Sequence, residues 1–155
     1  MTTTGDTTSL RARFVAARMW LGLFPLSILQ LGMRLGVGFV FFNAGILKFQ
    51  SFEFAVKLFQ EEYKVPILPP EVAARITMFN ELTWPVFLFL GLASRLATLP
   101  LLGQLVVMEM TYPKAWNDHV FWGSVLLLIL TRGPGALSLD YLIERHFAKR
   151  QQPVV

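Results

Sequence analysis

Apolar residues along this chain gather into long runs broken by short polar stretches, with no sustained alternation of period two. That is the pattern of helices rather than strands, and runs of such length suit a membrane interior. Four runs are nominated as spans: 28–49, 72–93, 96–111 and 117–131. The last two are short, since about 15 residues at ~1.5 Å each reach about 22 Å against a hydrocarbon layer ~30 Å thick. Tyr112, Trp116 and Trp122 are placed to anchor them at the interfaces.

The segments between the runs have their own periodicity. In SFEFAVKLFQEEYKVPILPPEV, Phe52, Val56, Phe59 and Tyr63 share one helical face, while Lys57, Glu61, Glu62 and Lys64 point mostly elsewhere. This predicts a short amphipathic helix on the bilayer, ended by Pro66 and by Pro69-Pro70. Asn117 or Asp118 is expected to cap the fourth span. After it, RGPG stops the helix and Ser138 caps a new one, whose Leu139, Leu142, Ile143, His146 and Phe147 give an interfacial stripe. At the front, MTTTGDTTS is expected to be disordered. The following LRARFVAARMWLGLFPLSIL has the charged and apolar regions of a signal sequence but no small-x-small cleavage site, so a retained membrane-surface helix is predicted. The expected organisation is a disordered start and surface helix over 1–27, a four-span bundle over 28–131, and an interfacial helix with a cytoplasmic tail over 132–155. The fold class that follows is all-α: an integral membrane four-helix transmembrane bundle with amphipathic surface helices.

Composition agrees with that pattern. Hydrophobic residues make up 54% of the 155 positions and charged residues only 15%, where a soluble domain carries about 25% charged. A small core could not bury so much apolar surface, so membrane lipid is the expected first partner. Cysteine is absent, which excludes disulfides, thiol nucleophiles, thiolate-held clusters and haem attached through CxxCH. Two histidines are too few for most metal sites, so no metal is predicted. The +4 net charge is dispersed beside apolar runs, as topology requires, and forms no stripe that would bind nucleic acid. Lys and Arg divide eight against five, with Arg11, Arg13, Arg18, Arg95, Arg132, Arg145, Lys149 and Arg150 on the side of the termini. That bias places both termini in the cytoplasm of a multi-pass protein.

A few polar residues inside the runs need an explanation. On a helical wheel Arg34, Gly38, Phe41, Gly45 and Lys48 fall on one narrow stripe of the first span, with Asn43 opposite. Glycines on such a stripe allow close packing of a neighbour. In the second span Glu81, Pro85, Leu88, Leu92 and Arg95 share a stripe. A carboxylate at bilayer depth costs roughly 2.5–3.5 kcal/mol on insertion scales, so it marks either a helix-locking ion pair or a functional polar pocket. Arg34 and Lys48 are the nominated donors for Glu81, although both could instead snorkel to the two headgroup layers, Lys48 above all because it sits at the span's end. Arg95, on the same stripe as Glu81, completes a candidate polar pocket of Arg34, Lys48, Glu81 and Arg95, and taken alone reads as a topology anchor. Glu109, Tyr112, Trp116, His119 and Trp122 gather near one surface, either as an interfacial belt or as a site for a quinone headgroup, with the imidazole passing a proton.

The runs RLGVGFVFFNAGILKF (34–49), NELTWPVFLFLGLASRLATLPLL (80–102) and RGPGALSLDYLI (132–143) together resemble the DoxX family. The pattern is an Arg, spaced glycines and a terminal Lys in the first span, a Glu opening the second, a GLxxR exit, and GPGxxSLD after the fourth. The resemblance implies a small four-helix protein of the bacterial inner (plasma) membrane. One branch of the family supplies the membrane subunit of an archaeal thiosulfate:quinone oxidoreductase; others accompany oxidative-stress, metal-stress or modified-peptide systems. Carried over by position, it points to Arg34, Lys48, Glu81, Arg95 and Asp140, with Gly38, Gly45, Pro85, Gly91 and Gly133 completing the motif. Two functional expectations follow. One is a subunit of a quinone-linked redox or stress-response complex, holding quinone as a non-covalent cofactor and docking a redox or peptide-processing partner, with stand-alone catalysis not expected. The other is a non-enzymatic adaptor or small-solute carrier. A homo-oligomer is left open by both.

Overall fold

In the computed structural model, backbone is described for residues 5–150 and side chains for 10–148, and every described element is helical. The elements are α1 (Gly5–Gly22), α2 (Leu26–Gln50), α3 (Phe52–Leu58) running into a π-turn (Phe59–Tyr63), α4 (Pro70–Leu90), α5 (Ser94–Thr111), a 3₁₀ turn (Pro113–Ala115), α6 (Trp116–Arg132) and α7 (Leu139–Arg150). The expected tail from 151 and the first four residues lie outside the described residues, as do the Lys149 and Arg150 side chains.

α2 packs on α4, α4 on α5, α5 on α6, and α6 back on α2. Each of the four helices contributes to one apolar core: Val37 and Phe41 from α2, Leu88 from α4, Ala97, Leu101 and Leu105 from α5, and Leu126 and Ile129 from α6. The i, i+4, i+8 spacing on α5 keeps its three on one face. Outward-facing positions remain apolar and exposed, among them Phe39, Phe79, Val106, Met110 and Phe121. Among the described residues one helix, α2, is long and apolar enough by itself to cross a membrane. α4 carries Glu71, Arg75 and Glu81, and α6 has 17 residues.

Several boundaries differ from those read from sequence. α4 runs from 70 to 90 rather than 72 to 93, because Gly91 in the left-handed region (φ 66) closes it. α5 and α6 are 18 and 17 residues long, about 27 and 25 Å, which narrows the expected shortfall by about 3 Å in each. The start is not disordered throughout 1–9, since α1 begins at Gly5. All described side chains of α1 are exposed. Neither Asn117 nor Asp118 caps α6: the 3₁₀ turn winds into it through Ala115, leaving both residues in its first turn. Ser138 does cap α7, its hydroxyl accepting from the Tyr141 N–H at 3.2 Å. The amphipathic α3 rests against α4, with Ala55 and Phe59 buried on Ala73 and Ala74.

Candidate functional site

The carboxylate of Glu81 sits halfway along α4 and is 2% exposed. α2 approaches α4 so closely here that a β-carbon on Gly45 would stand 2.9 Å from the Glu81 Cβ. One turn further on, Lys48 reaches back toward the middle of the ring, because side chains on a helix tilt toward its N-terminus. Its Nζ donates to both carboxylate oxygens, at 3.0 Å to Oε1 and 2.7 Å to Oε2. Lys48 therefore does not snorkel to a headgroup layer; it is 18% exposed and paired. A third group completes the set: Gln104 of α5 donates Nε2 to Glu81 Oε1 at 2.7 Å.

Beside this triad lies a cavity of about 290 Å³ between α4 and α5, roofed by Phe59 and Tyr63 of the π-turn. Thr77, Asn80, Glu81, Lys48 and Gln104 supply polar groups to walls that are otherwise apolar, including Ile76, Val107 and Met108. Gly103 opens onto it, and a β-carbon there would meet nothing within 4 Å. An apolar cavity with a few convergent polar groups is the form of a small-molecule site. Burial pushes the Tyr63 phenol above its usual pKa, with the neighbouring Glu62 carboxylate adding to the shift.

Arg34 takes no part in this site, which corrects its nomination as a donor for Glu81. Fully buried, it sits four turns away, about 21 Å along α2 from Lys48. There Nη1 donates to Leu88 O at 3.3 Å and Nη2 to Leu137 O. Leu88 O, which also accepts from the Gly91 N–H at 3.2 Å, lies at the end of α4, where a cation is favoured. Asp140 accepts from the backbone N–H groups of Ala93 and Ser94 at 2.7 and 2.9 Å, and its own N–H donates to Gly91 O at 2.9 Å. A carboxylate is thus placed at the start of α5, where the helix dipole favours it. Gln30 donates to Gly133 O at 3.3 Å, and Arg95 stands over Gly133. Arg34, Gly91, Arg95, Gly133 and Asp140 therefore form a knot binding the α4–α5 and α6–α7 connections to α2. Arg95 belongs to this knot and not to the pocket with Glu81. Gly38 packs under Phe89, and Pro85 is buried within α4.

The aromatic group splits. Glu109 Oε2 lies 2.7 Å from His119 Nδ1, and the His119 ring sits 5.9 Å from Trp122, which leans on Phe41. Tyr112 turns away and meets Tyr63 edge to face with ring centres 5.6 Å apart, and Trp116 is exposed. The five residues do not converge on one headgroup-sized pocket.

Gln104 is the member that sequence reasoning missed. An amide inside the apolar run LATLPLLGQLVVM needs a partner in any lipid-facing helix, and that signal was available. The DoxX family pattern matches residues 29–112, more than half of the chain. The match takes in Arg34, Lys48, Glu81 and Gln104 and ends before His119 and the 133–140 loop. No curated protein and no solved structure matches the chain.

Proposed function

Because this chain belongs to the DoxX family, a family of membrane proteins, we propose that it is a four-span subunit of the bacterial inner membrane that holds a quinone headgroup within the bilayer for a redox partner. In this reading α2, α4, α5 and α6 form a four-helix transmembrane bundle and α1 and α7 lie at the cytoplasmic face with both termini. The basic residues Arg95, Arg132 and Arg145 fall on that same face, in keeping with positive-inside topology.

The observation that carries the reading is the cavity ending on Lys48, Glu81 and Gln104. A buried ion pair roughly breaks even against an apolar replacement, so stability alone gives little reason for a charged pair at bilayer depth. Intramembrane ionisable groups beside a cavity mark ligand or proton routes. The residues fit the group: apolar walls for a ring, and an amide, a hydroxyl and an ammonium–carboxylate pair for its oxygens. A bound quinone supplies two-electron, two-proton chemistry. The chain's own part is to orient the ring, exclude water with Phe59 and Tyr63, and take or return a proton at Glu81 while Lys48 balances the charge. Electrons belong to the partner, since no thiol is available here to carry them.

Purification from quinone-rich membranes in mild detergent, followed by mass spectrometry of bound lipid and protein, tests this. Quinone should accompany the wild type and be absent from Gly103→Leu. A wild-type preparation that carries none, and that takes up none when quinone is added back, would refute the reading.

A further inference from the structure

We propose that the outward face of α2 is a dimer interface, against which a second copy of this chain packs its own α2 in parallel. This interface rests on the four-span membrane placement proposed above and is independent of the quinone reading.

Asn43 carries the argument. Within positions 30–46 of α2 the exposed residues are Gly32, Gly36, Phe39 and Asn43, at steps of four, three and four. That spacing holds them on one stripe, away from the face whose Lys48 meets Glu81. Asn43 stands two positions before Gly45, which packs against Glu81. It is also about 20 Å along α2 from Gln30, the tie to Gly133 at the cytoplasmic end. Its depth is therefore that of the hydrocarbon layer, and its side chain is too short to reach either surface. Among the described residues no hydrogen bond reaches its amide. An outward amide at that depth faces acyl chains, which offer it no donor or acceptor, and a polar group so placed is costly until it is bonded.

A second copy supplies the bond. An amide carries donors and an acceptor together, so two Asn43 side chains facing across a twofold axis satisfy each other. Gly32 and Gly36 let the helices approach, because their backbone is bare: a β-carbon on either would meet nothing within 4 Å. Leu29, Gly36, Asn43 and Gln50 recur at steps of seven, with Gly32, Phe39 and Ile46 between them. A seven-residue repeat is the seam of two parallel helices with a left-handed crossing, and one amide on such a seam fixes the register. No charge lies on the stripe to select an acidic or basic partner; its self-complementary amide selects a second copy. The cavity beside Glu81 lies between α4 and α5 and stays uncovered in the pair.

The test uses the full-length protein in lipid vesicles. Because the chain contains no cysteine, one introduced thiol reports only its own neighbours. On oxidation Leu29→Cys, on the seam, should give a disulfide-linked dimer. Leu96→Cys, exposed at the same end of the bundle on α5, should stay monomeric. Energy transfer between labelled copies, followed as lipid is added, reads the dimer affinity. Asn43→Leu should weaken it roughly tenfold, and Asn43→Gln, which keeps an amide, should retain most of it. Equal cross-linking at Leu96→Cys, unchanged affinity in Asn43→Leu, or a chain that inserts yet stays monomeric overturns the inference and leaves the membrane placement standing. So does Leu29→Cys joined, in the membranes of the producing cells, to a different protein and not to itself. Release of the chain from vesicles by alkaline carbonate overturns both.

Discussion

Where α2 begins, Arg34 gives its protons to the carbonyls of Leu88 and Leu137, and Asp140 receives the N–H groups that open α5. Near the other end of the same helix, Lys48, Glu81 and Gln104 turn to one another and border empty space. Both regions bury charge within one helix ring, but the first directs it at backbone and encloses the Arg34 side chain completely. Polar groups that serve as helix caps and loop ties are packed to the limit; a β-carbon on Gly91 would collide with Arg34 and with Ser138. Each region keeps a buried polar atom without a partner, Arg34 Nε in the first and Gln104 Oε1 in the second, so what sets them apart is the apolar cavity beside the second. The difference separates a structural use of buried charge from a binding one, and the following substitutions exploit it.

The largest loss is expected for Gly91→Val, which places a β-branched residue at φ 66 against two neighbours. Backbone strain and overpacking together should remove about 4 kcal/mol, read as collapse of expression or of the thermal transition. Arg34→Met takes the Arg34 donor from Leu137 O and one of two donors from Leu88 O, and leaves Asp140 without its nearby cation; a loss of about 3 kcal/mol is expected in denaturation. Glu81→Gln should cost only about 1 kcal/mol, because Lys48 is partly exposed and able to relax outward, yet ring binding should fall at least roughly tenfold. If Glu81→Gln destabilises as much as Arg34→Met, the contrast between the two regions fails.

Gly103→Leu sharpens the comparison most cleanly. Nothing stands within 4 Å of the added carbon, and replacing glycine inside a helix should stabilise by up to about 1 kcal/mol. The same side chain fills the cavity, so stability and binding should move in opposite directions. The smallest effect is Tyr63 ionisation. Its folded phenol pKa lies above the ordinary value of 10.0, so its contribution to stability is complete below pH 10 and is lost as pH rises through the folded value. Tyrosinate absorbance should show one phenol titrating late, and Tyr63→Phe should abolish that late step.

Much of this was legible in the linear chain. Hydrophobic runs marked α2 and α4 to α6 within a few residues, and the α2 wheel picked out Arg34, Gly38, Phe41 and Gly45, which are buried. The pairing of Glu81 with a basic group of α2 was within reach of the same wheel. Its assignment to both Arg34 and Lys48 was not tenable, because a wheel discards position along the axis. Fourteen residues of helix separate the two by about 21 Å, too far for one carboxylate to serve both. The aromatic cluster failed for a related reason: nearness in sequence placed Tyr112 with His119, whereas their side chains leave the α5–α6 connection toward different neighbours.

By itself, then, the order of residues determined the helical elements, their apolar faces, the stop at Gly133, and the need for some partner to Glu81. Those properties are local, set by backbone geometry within a few turns and by the cost of burying charge. Only the packed ring decided which end Arg34 ties, that Gln104 is Glu81's second donor, and that space remains beside them. Such facts depend on the axial register of four helices, on side-chain reach, and on what the neighbours leave unfilled, none of which a single chain's periodicity contains.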